Sequence, residues 1–154
     1  MTLYLFALLI GVIAGLRAMT APAAVAWAAH LGWLPLAGTP LAWLGATVTP
    51  WIFTALALAE LVSDQLPKTP SRKVPPQFIT RVVSGGLCGA AIGMTSGLWI
   101  GGMIAGAIGA VIGTLGGADT RGRLAKAFGK DLPAALIEDA VAVGGGLAIV
   151  MTAL

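Results

Sequence analysis

Residues 82–118 read VVSGGLCGAAIGMTSGLWIGGMIAGAIGAVIGTLGGA, a run of 37 positions without one Asp, Glu, Lys or Arg. As a single helix rising ~1.5 Å per residue it would be about 55 Å long, nearly twice the ~30 Å of a bilayer's hydrocarbon core. The run must therefore turn back on itself. Met94-Thr-Ser-Gly97, where two hydroxyls and a glycine interrupt the apolar side chains, is the natural turn. In the two legs Gly85, Gly89, Gly93, Gly97 and Gly101 recur every four residues, and Gly102, Gly106, Gly109, Gly113 and Gly117 continue at fours and one three. Each set falls on one helix face. Small residues let helix backbones approach closely where lipid gives no hydrophobic reason to associate, so these faces predict helix packing within or between subunits. The sharper alternative is a narrow pore lined by glycine and backbone.

The rest of the chain has the same character. Of its 154 residues 58% are hydrophobic and 10% charged, against about 25% charged in an ordinary soluble domain, and the mean hydropathy is +0.94. These values predict an all-α integral membrane protein with about five short transmembrane helices in a single domain, over residues 3–29, 41–65, 81–96, 99–117 and 132–154. The N-terminus lacks the basic n-region of a secretory signal and reads as a retained first span. One cysteine, Cys88, and one histidine, His30, leave no thiolate or imidazole cluster to hold a metal, and no cofactor is expected. The sequence contains no GxSxG, HExxH, Walker loop or nucleic-acid module.

Charge placement suggests an orientation. Eight of the nine Lys and Arg residues fall in or beside two connections: Lys68, Arg72, Lys73 and Arg81, then Arg121, Arg123, Lys126 and Lys130. By the positive-inside rule both connections are cytoplasmic. The first connection, residues 30–40, is free of Asp, Glu, Lys and Arg. Trp27, Trp33 and Trp43 surround it and Trp99 follows the proposed turn, as in an outer aromatic belt. The expected topology in a bacterial inner membrane is N-terminus inside, C-terminus outside. Residues 68–76, with three prolines and three cations, read as a stiff loop, and 120–130 as a short basic interfacial helix or a solvated loop. Gly11-Val-Ile-Ala-Gly15 and Gly109-Ala-Val-Ile-Gly113 are similar enough to suggest an inverted repeat.

The ninth cation, Arg17, lies deep in the first apolar block. A charge at that depth costs at least ~2.5–3.5 kcal/mol on insertion scales, so it faces a partner or a water-filled cavity. Pro22 disfavours helix just before it and Thr20 is a good cap. The first span is thus expected to break over residues 18–21 and restart at Pro22, next to a helix N-terminus that favours anions. The candidate partners are Glu60 and Asp64, four residues apart on one helix face, which also have Arg72 and Arg81 within reach. Glu138 and Asp139 read as acids capping the start of the last helix. Arg17, Thr20, Glu60, Asp64, Arg72, Arg81, Glu138 and Asp139 are therefore the candidate residues for binding a solute or forming ion pairs.

Four blocks in order, Gly15-Leu-Arg-Ala-Met-Thr-Ala-Pro22, the Glu60-Leu-Val-Ser-Asp64 block through Arg72, Arg81-Val-Val-Ser-Gly-Gly-Leu-Cys-Gly89 and Glu138-Asp-Ala-Val-Ala142, resemble the bacterial membrane family labelled domain of unknown function 4126. The resemblance implies a small integral membrane protein and no particular activity. From the residues, the leading expectation is a small transporter or channel for an anionic or polar solute. It would be assembled from several copies through glycine faces, with the lipid bilayer, itself and a solute as partners, and no nucleic acid. The rivals are a structural membrane protein held by buried ion pairs, and a membrane-embedded enzyme acting on a lipid-like substrate.

Overall fold

The computed structural model describes residues 2–36, 38–63, 75–129 and 131–153. Within them the chain is all helical: α1 (Thr2–Leu16), α2 (Thr20–His30), a short 3-10 turn (Ala42–Gly45), α3 (Thr49–Ser63), α4 (Pro75–Met94), α5 (Trp99–Phe128) and α6 (Asp131–Ala153). The turn between α4 and α5 falls where the long apolar run had to reverse, and Gly97 sits in it with φ +71, a left-handed conformation that suits glycine. Other boundaries differ from expectation. α3 starts at Thr49 because residues 41–48, with Pro40 before them, form turns and the 3-10 element. The basic stretch after Thr120 is a continuation of α5, which ends only at Gly129 in a left-handed C-cap.

Contacts at the glycines fix the direction of every core helix. A Cβ on Gly101 would meet the Tyr4 ring, one on Gly109 would overlap Leu8 O, and one on Gly113 would overlap Val12 O, so α1 and α5 run parallel. Positions 85, 89 and 93 oppose 106, 102 and 98 in turn, so α4 runs antiparallel to α5. The three helices form the tightest part of the molecule, and Gly106 lies against both Gly11 and Gly85. The two similar glycine segments therefore pack side by side in the same direction, and are not related as an inverted repeat.

The first apolar block is the largest departure. Ile13 of α1 and Ala24 of α2 both lie against Gly146 of α6, while Arg17, between them in sequence, reaches Glu138 and Asp139, about two turns away along α6. The chain reverses at residues 17–19. α1 and α2 form a helical hairpin, where the sequence suggested one kinked span. Pro22 supplies the reason: it has no N–H to offer Ala18 O, the carbonyl a continuous helix would bond. α2 begins at Thr20, two residues before the proline, within the first turn where proline is tolerated.

The reversal places Thr2 at the same end of the bundle as the α2–α3 connection, the α4–α5 turn and Ala153. This end carries no Asp, Glu, Lys or Arg in sequence, and Trp33, Trp43, Trp51 and Trp99 are exposed there. The other end gathers the start of α4, the finish of α5 and the start of α6, with Arg121, Arg123 and Lys126. Arg123 pairs with Asp119 at 3.2 Å on the surface.

Side-chain size is distributed the opposite way from a water-soluble core. The buried positions are mainly alanine and glycine with a few larger residues such as Ile10, Val25, Leu34 and Leu44, whereas Ile100, Ile104, Ile108, Ile112 and Leu115 form an exposed ridge along α5. The 26 residues Trp99–Leu124 are long and apolar enough to cross a membrane, and Leu3–Leu16 and Phe78–Met94 are shorter apolar helices.

Candidate functional site: a charged hairpin tip

The tip of the α1–α2 hairpin is driven between α4, α5 and α6. Ending α1 at Leu16 leaves its last carbonyls without intrahelical donors, and side chains from the neighbouring helices supply them. Arg81 of α4 donates from Nη1 to Gly15 O at 2.8 Å, and Thr114 of α5 approaches the same oxygen at 3.4 Å. Ser84 Oγ donates to Ala18 O, the carbonyl that Pro22 leaves open. Arg17 Nη1 donates to Leu16 O at 3.2 Å. The polar residues of the tip thus first satisfy the backbone where the chain turns.

Arg17 also forms the centre of an ion cluster. Its guanidinium is 0% exposed. Nε donates to Asp139 Oδ1 at 2.7 Å and Nη2 donates to the same oxygen, a side-on grip, while Nη1 reaches Glu138 Oε1 at 2.9 Å. Glu138 and Asp139 lie about two turns into α6, so they do not cap its first turn. Both acids turn toward Arg17 because the hairpin tip enters beside them.

The other sequence candidates separate. Arg81 joins the tip, 2% exposed. Glu60 sits half-buried on α3, which packs on α2 and the 3-10 turn; Asp64 and Arg72 lie outside the described residues. Thr20 is the first residue of α2, not its cap: the N-cap is Met19, without a side-chain hydrogen bond. The Thr20 hydroxyl is buried without a hydrogen-bond partner among the described residues. Sequence reading missed Ser84 and Thr114. Ser84 stands three residues after Arg81, one helical turn on, and that spacing was the available signal.

Glycines named for packing occupy two settings. Gly85, Gly89, Gly93, Gly102, Gly106, Gly109 and Gly113 all face backbone of a neighbouring helix within this chain, so closely that a Cβ would overlap it; Gly97 lies in the turn with open space around it. The stripe is consumed inside the α1–α4–α5 core.

Two clefts flank the tip. One, of about 340 Å³, lies between α1, α5 and α6 and is lined by Leu16, Gly116, Thr120, Arg121 and Glu138 among others. The second, about 190 Å³, lies between α2, α3 and α6 and is lined by Thr20, Trp27, Thr54 and Val143 among others. In the latter Trp27 Nε1 donates to Thr54 Oγ1 at 2.7 Å, which in turn donates to Pro50 O. The first is lined by Glu138 and by Thr120 and Arg121 toward the basic end, and the second by Thr20 and by Trp27 toward the uncharged end. Among the described residues no group of His, Cys, Asp and Glu is placed to hold a metal ion.

Compared with protein-family models, curated proteins and solved structures, the chain matches none. Its class is defined by its own fold and site: an all-helical protein built around a re-entering helical hairpin whose tip carries a buried arginine–carboxylate cluster.

Proposed function

We propose that the chain is a small multi-pass protein of the bacterial inner membrane, of the family its four sequence blocks resemble, and that it moves a small anionic or polar solute past the hairpin tip. The reversed side-chain distribution supports the membrane reading: a ridge of isoleucines faces outward over a core of glycine and alanine, as suits helices whose solvent is lipid. With the basic end in the cytoplasm, the hairpin dips in from the outer face. Irregular backbone at membrane depth is tolerated only where it is buried in protein or lines a water-filled cavity.

The observation that carries transport is the Arg17–Glu138–Asp139 cluster flanked by two clefts, one lined by Glu138 and Arg121 toward the basic end, the other by Thr20 and Trp27 toward the uncharged end. Interrupted helices meeting near the midplane are how many transporters place a site that is reached alternately from each side. In this reading the two carboxylates occupy Arg17 in the closed state. A solute anion or polar group entering beside Thr20 exchanges with one of them. So small a bundle, its core filled by glycine and alanine, encloses no wide path alone, which supports an assembly of several copies meeting on faces other than the consumed glycine stripe.

A structural reading draws on the complete burial of Arg17: the cluster would simply staple the hairpin to α6. Osmotic swelling of proteoliposomes separates the two, using chloride, acetate, lactate and glycerol as probes. Under the transport reading at least one probe enters faster than into protein-free vesicles, and Arg17→Gln abolishes the difference while the protein still folds and keeps its oligomer size. Swelling equal to that of empty vesicles for every probe, with loss of the folded species in Arg17→Gln, favours the staple.

A further inference from the structure

Thr20 is buried at the head of α2, 7% exposed, and its hydroxyl makes no hydrogen bond among the described residues. Buried polar side chains are nearly always hydrogen-bonded, so an orphan hydroxyl points to something outside the chain that completes it. Thr20 lines the cleft between α2, α3 and α6. The positive end of the α2 dipole lies at the same place, where Met19 caps the helix without a side-chain hydrogen bond and Pro22 has no N–H to offer. Farther along the cleft the polar groups are already used: Trp27 donates to Thr54, and Thr54 donates to Pro50 O. The rest of the wall is aliphatic, with Ala24 on α2 and the exposed Leu58 and Leu147 on α3 and α6.

We propose that this cleft binds an uncharged molecule with one hydrogen-bonding group on a short apolar body, a short-chain alcohol or amide, and that Thr20 Oγ1 holds the polar group. Size, shape and charge each limit the occupant. The cleft's volume of about 190 Å³ is that of about six water molecules at ~30 Å³ each, so the occupant has about six non-hydrogen atoms. From Thr20 to Trp27 the cleft follows α2 for two turns, about 10 Å, which suits an extended chain. Among the described residues that line it there is no Asp, Glu, Lys or Arg, so a charged occupant would give up its water with no counter-charge to receive it. A solute hydroxyl or carbonyl oxygen accepts from Thr20 on the side where the helix end favours partial negative charge. Further polar groups on the solute would be buried without partners, which disfavours a polyol. The proposal rests on the transport reading for the molecule's role as the carried solute, and narrows that solute from anionic or polar to uncharged.

The test is photolabelling of the full chain in liposomes with a diazirine-bearing butanol, located by peptide mass spectrometry. Label should fall on the residues of α2, α3 and α6 that line the cleft, and excess n-butanol should compete for it where glycerol and acetate do not. Thr20→Val keeps the shape and removes the hydroxyl. It should lower the cleft label several-fold while the thermal midpoint holds or rises, because no hydroxyl is then buried without a partner, and Thr20→Ser should restore the label. Val143→Phe, which fills the cleft from an exposed position on α6, should lower the label several-fold with the hydroxyl intact. Label that ignores Thr20→Val, as when water alone completes the hydroxyl, overturns the proposal. So does label confined to the exposed ridge of α5, or a marked fall in the midpoint of Thr20→Val, which would place the hydroxyl in a bond within the protein. Labelling needs no flux: cleft label without swelling removes the transport reading and leaves the site, and swelling without cleft label removes the site and leaves transport.

Discussion

At the scale of single residues, the structure turns a charge that looked misplaced into one that organises its surroundings. Arg17 is buried with two acids, and removing one partner of a buried pair leaves uncompensated charge, which costs about 3–5 kcal/mol. Arg17→Met should therefore lower the thermal midpoint in detergent sharply, and adding Glu138→Gln and Asp139→Asn should recover much of the loss. A triple variant no more stable than Arg17→Met would show that the carboxylates are not what Arg17 holds. Ser84→Ala is a milder test. It leaves Ala18 O without the donor that Pro22 cannot replace, at a cost of about 1–3 kcal/mol for an unsatisfied buried acceptor, and a midpoint equal to the wild type would count against the capping role. Arg17 was legible in the sequence because an arginine in apolar sequence requires a partner. Which partner was not: a single kinked span put Glu60 and Asp64 nearest, and only the reversal at residues 17–19 brings Glu138 and Asp139 within reach.

At the scale of elements, the glycine spacing announced close helix packing but not between which helices. Positions four apart share a face whatever lies opposite, and the pattern cannot tell a neighbouring helix of the same chain from another copy. The structure divides the stripe, with Gly102 and Gly106 meeting α4 while Gly109 and Gly113 meet α1. This yields a paired prediction. Gly109→Ala and Gly113→Ala place a methyl on backbone of α1 and should cost about 1–3 kcal/mol as overpacking of a tight core. Gly144→Ala and Gly116→Ala point into open space and should be neutral or slightly stabilising, since alanine exceeds glycine in helix propensity by up to ~1 kcal/mol. Thermal melts of the four proteins decide it: equal losses at all four positions would mean that these helices do not pack as described. Proline chemistry was equally visible at Pro22, but a missing N–H permits either a kink or a reversal. What selects reversal is the set of donors waiting at the tip, Arg81, Ser84 and Thr114, and these lie 66 or more residues from the carbonyls they meet, beyond the reach of local pattern.

At the scale of the whole molecule, the distribution of charge follows from the hairpin. Every Asp, Glu, Lys and Arg other than Arg17 lies between positions 60 and 81 or between 119 and 139, and the described residues of those stretches lie at or toward one end of the bundle. Were α1 and α2 one continuous span, the first residues would lie at that charged end, although they carry no basic side chain to suit it. Folding back as a hairpin puts them with the other uncharged segments and leaves Arg17 as the deepest point of the chain, directed toward the charged end. The parallel course of α1 and α5, read from Tyr4 against Gly101, Leu8 against Gly109 and Val12 against Gly113, demands the same. In a membrane the consequence is sharp, because crossing by α1 and α2 together is an even number of passes. A periplasm-sensitive reporter such as alkaline phosphatase should be active when fused at either end of this chain, and a fluorescent reporter that matures only in the cytoplasm should be active when inserted within 64–74. Cysteines substituted at Tyr4 and Gly101, which face each other across the α1–α5 contact, should crosslink within one chain when Cys88 is replaced by Ser. Reporter activity on opposite sides for the two termini would restore the single kinked span, and with it an inward-facing N-terminus.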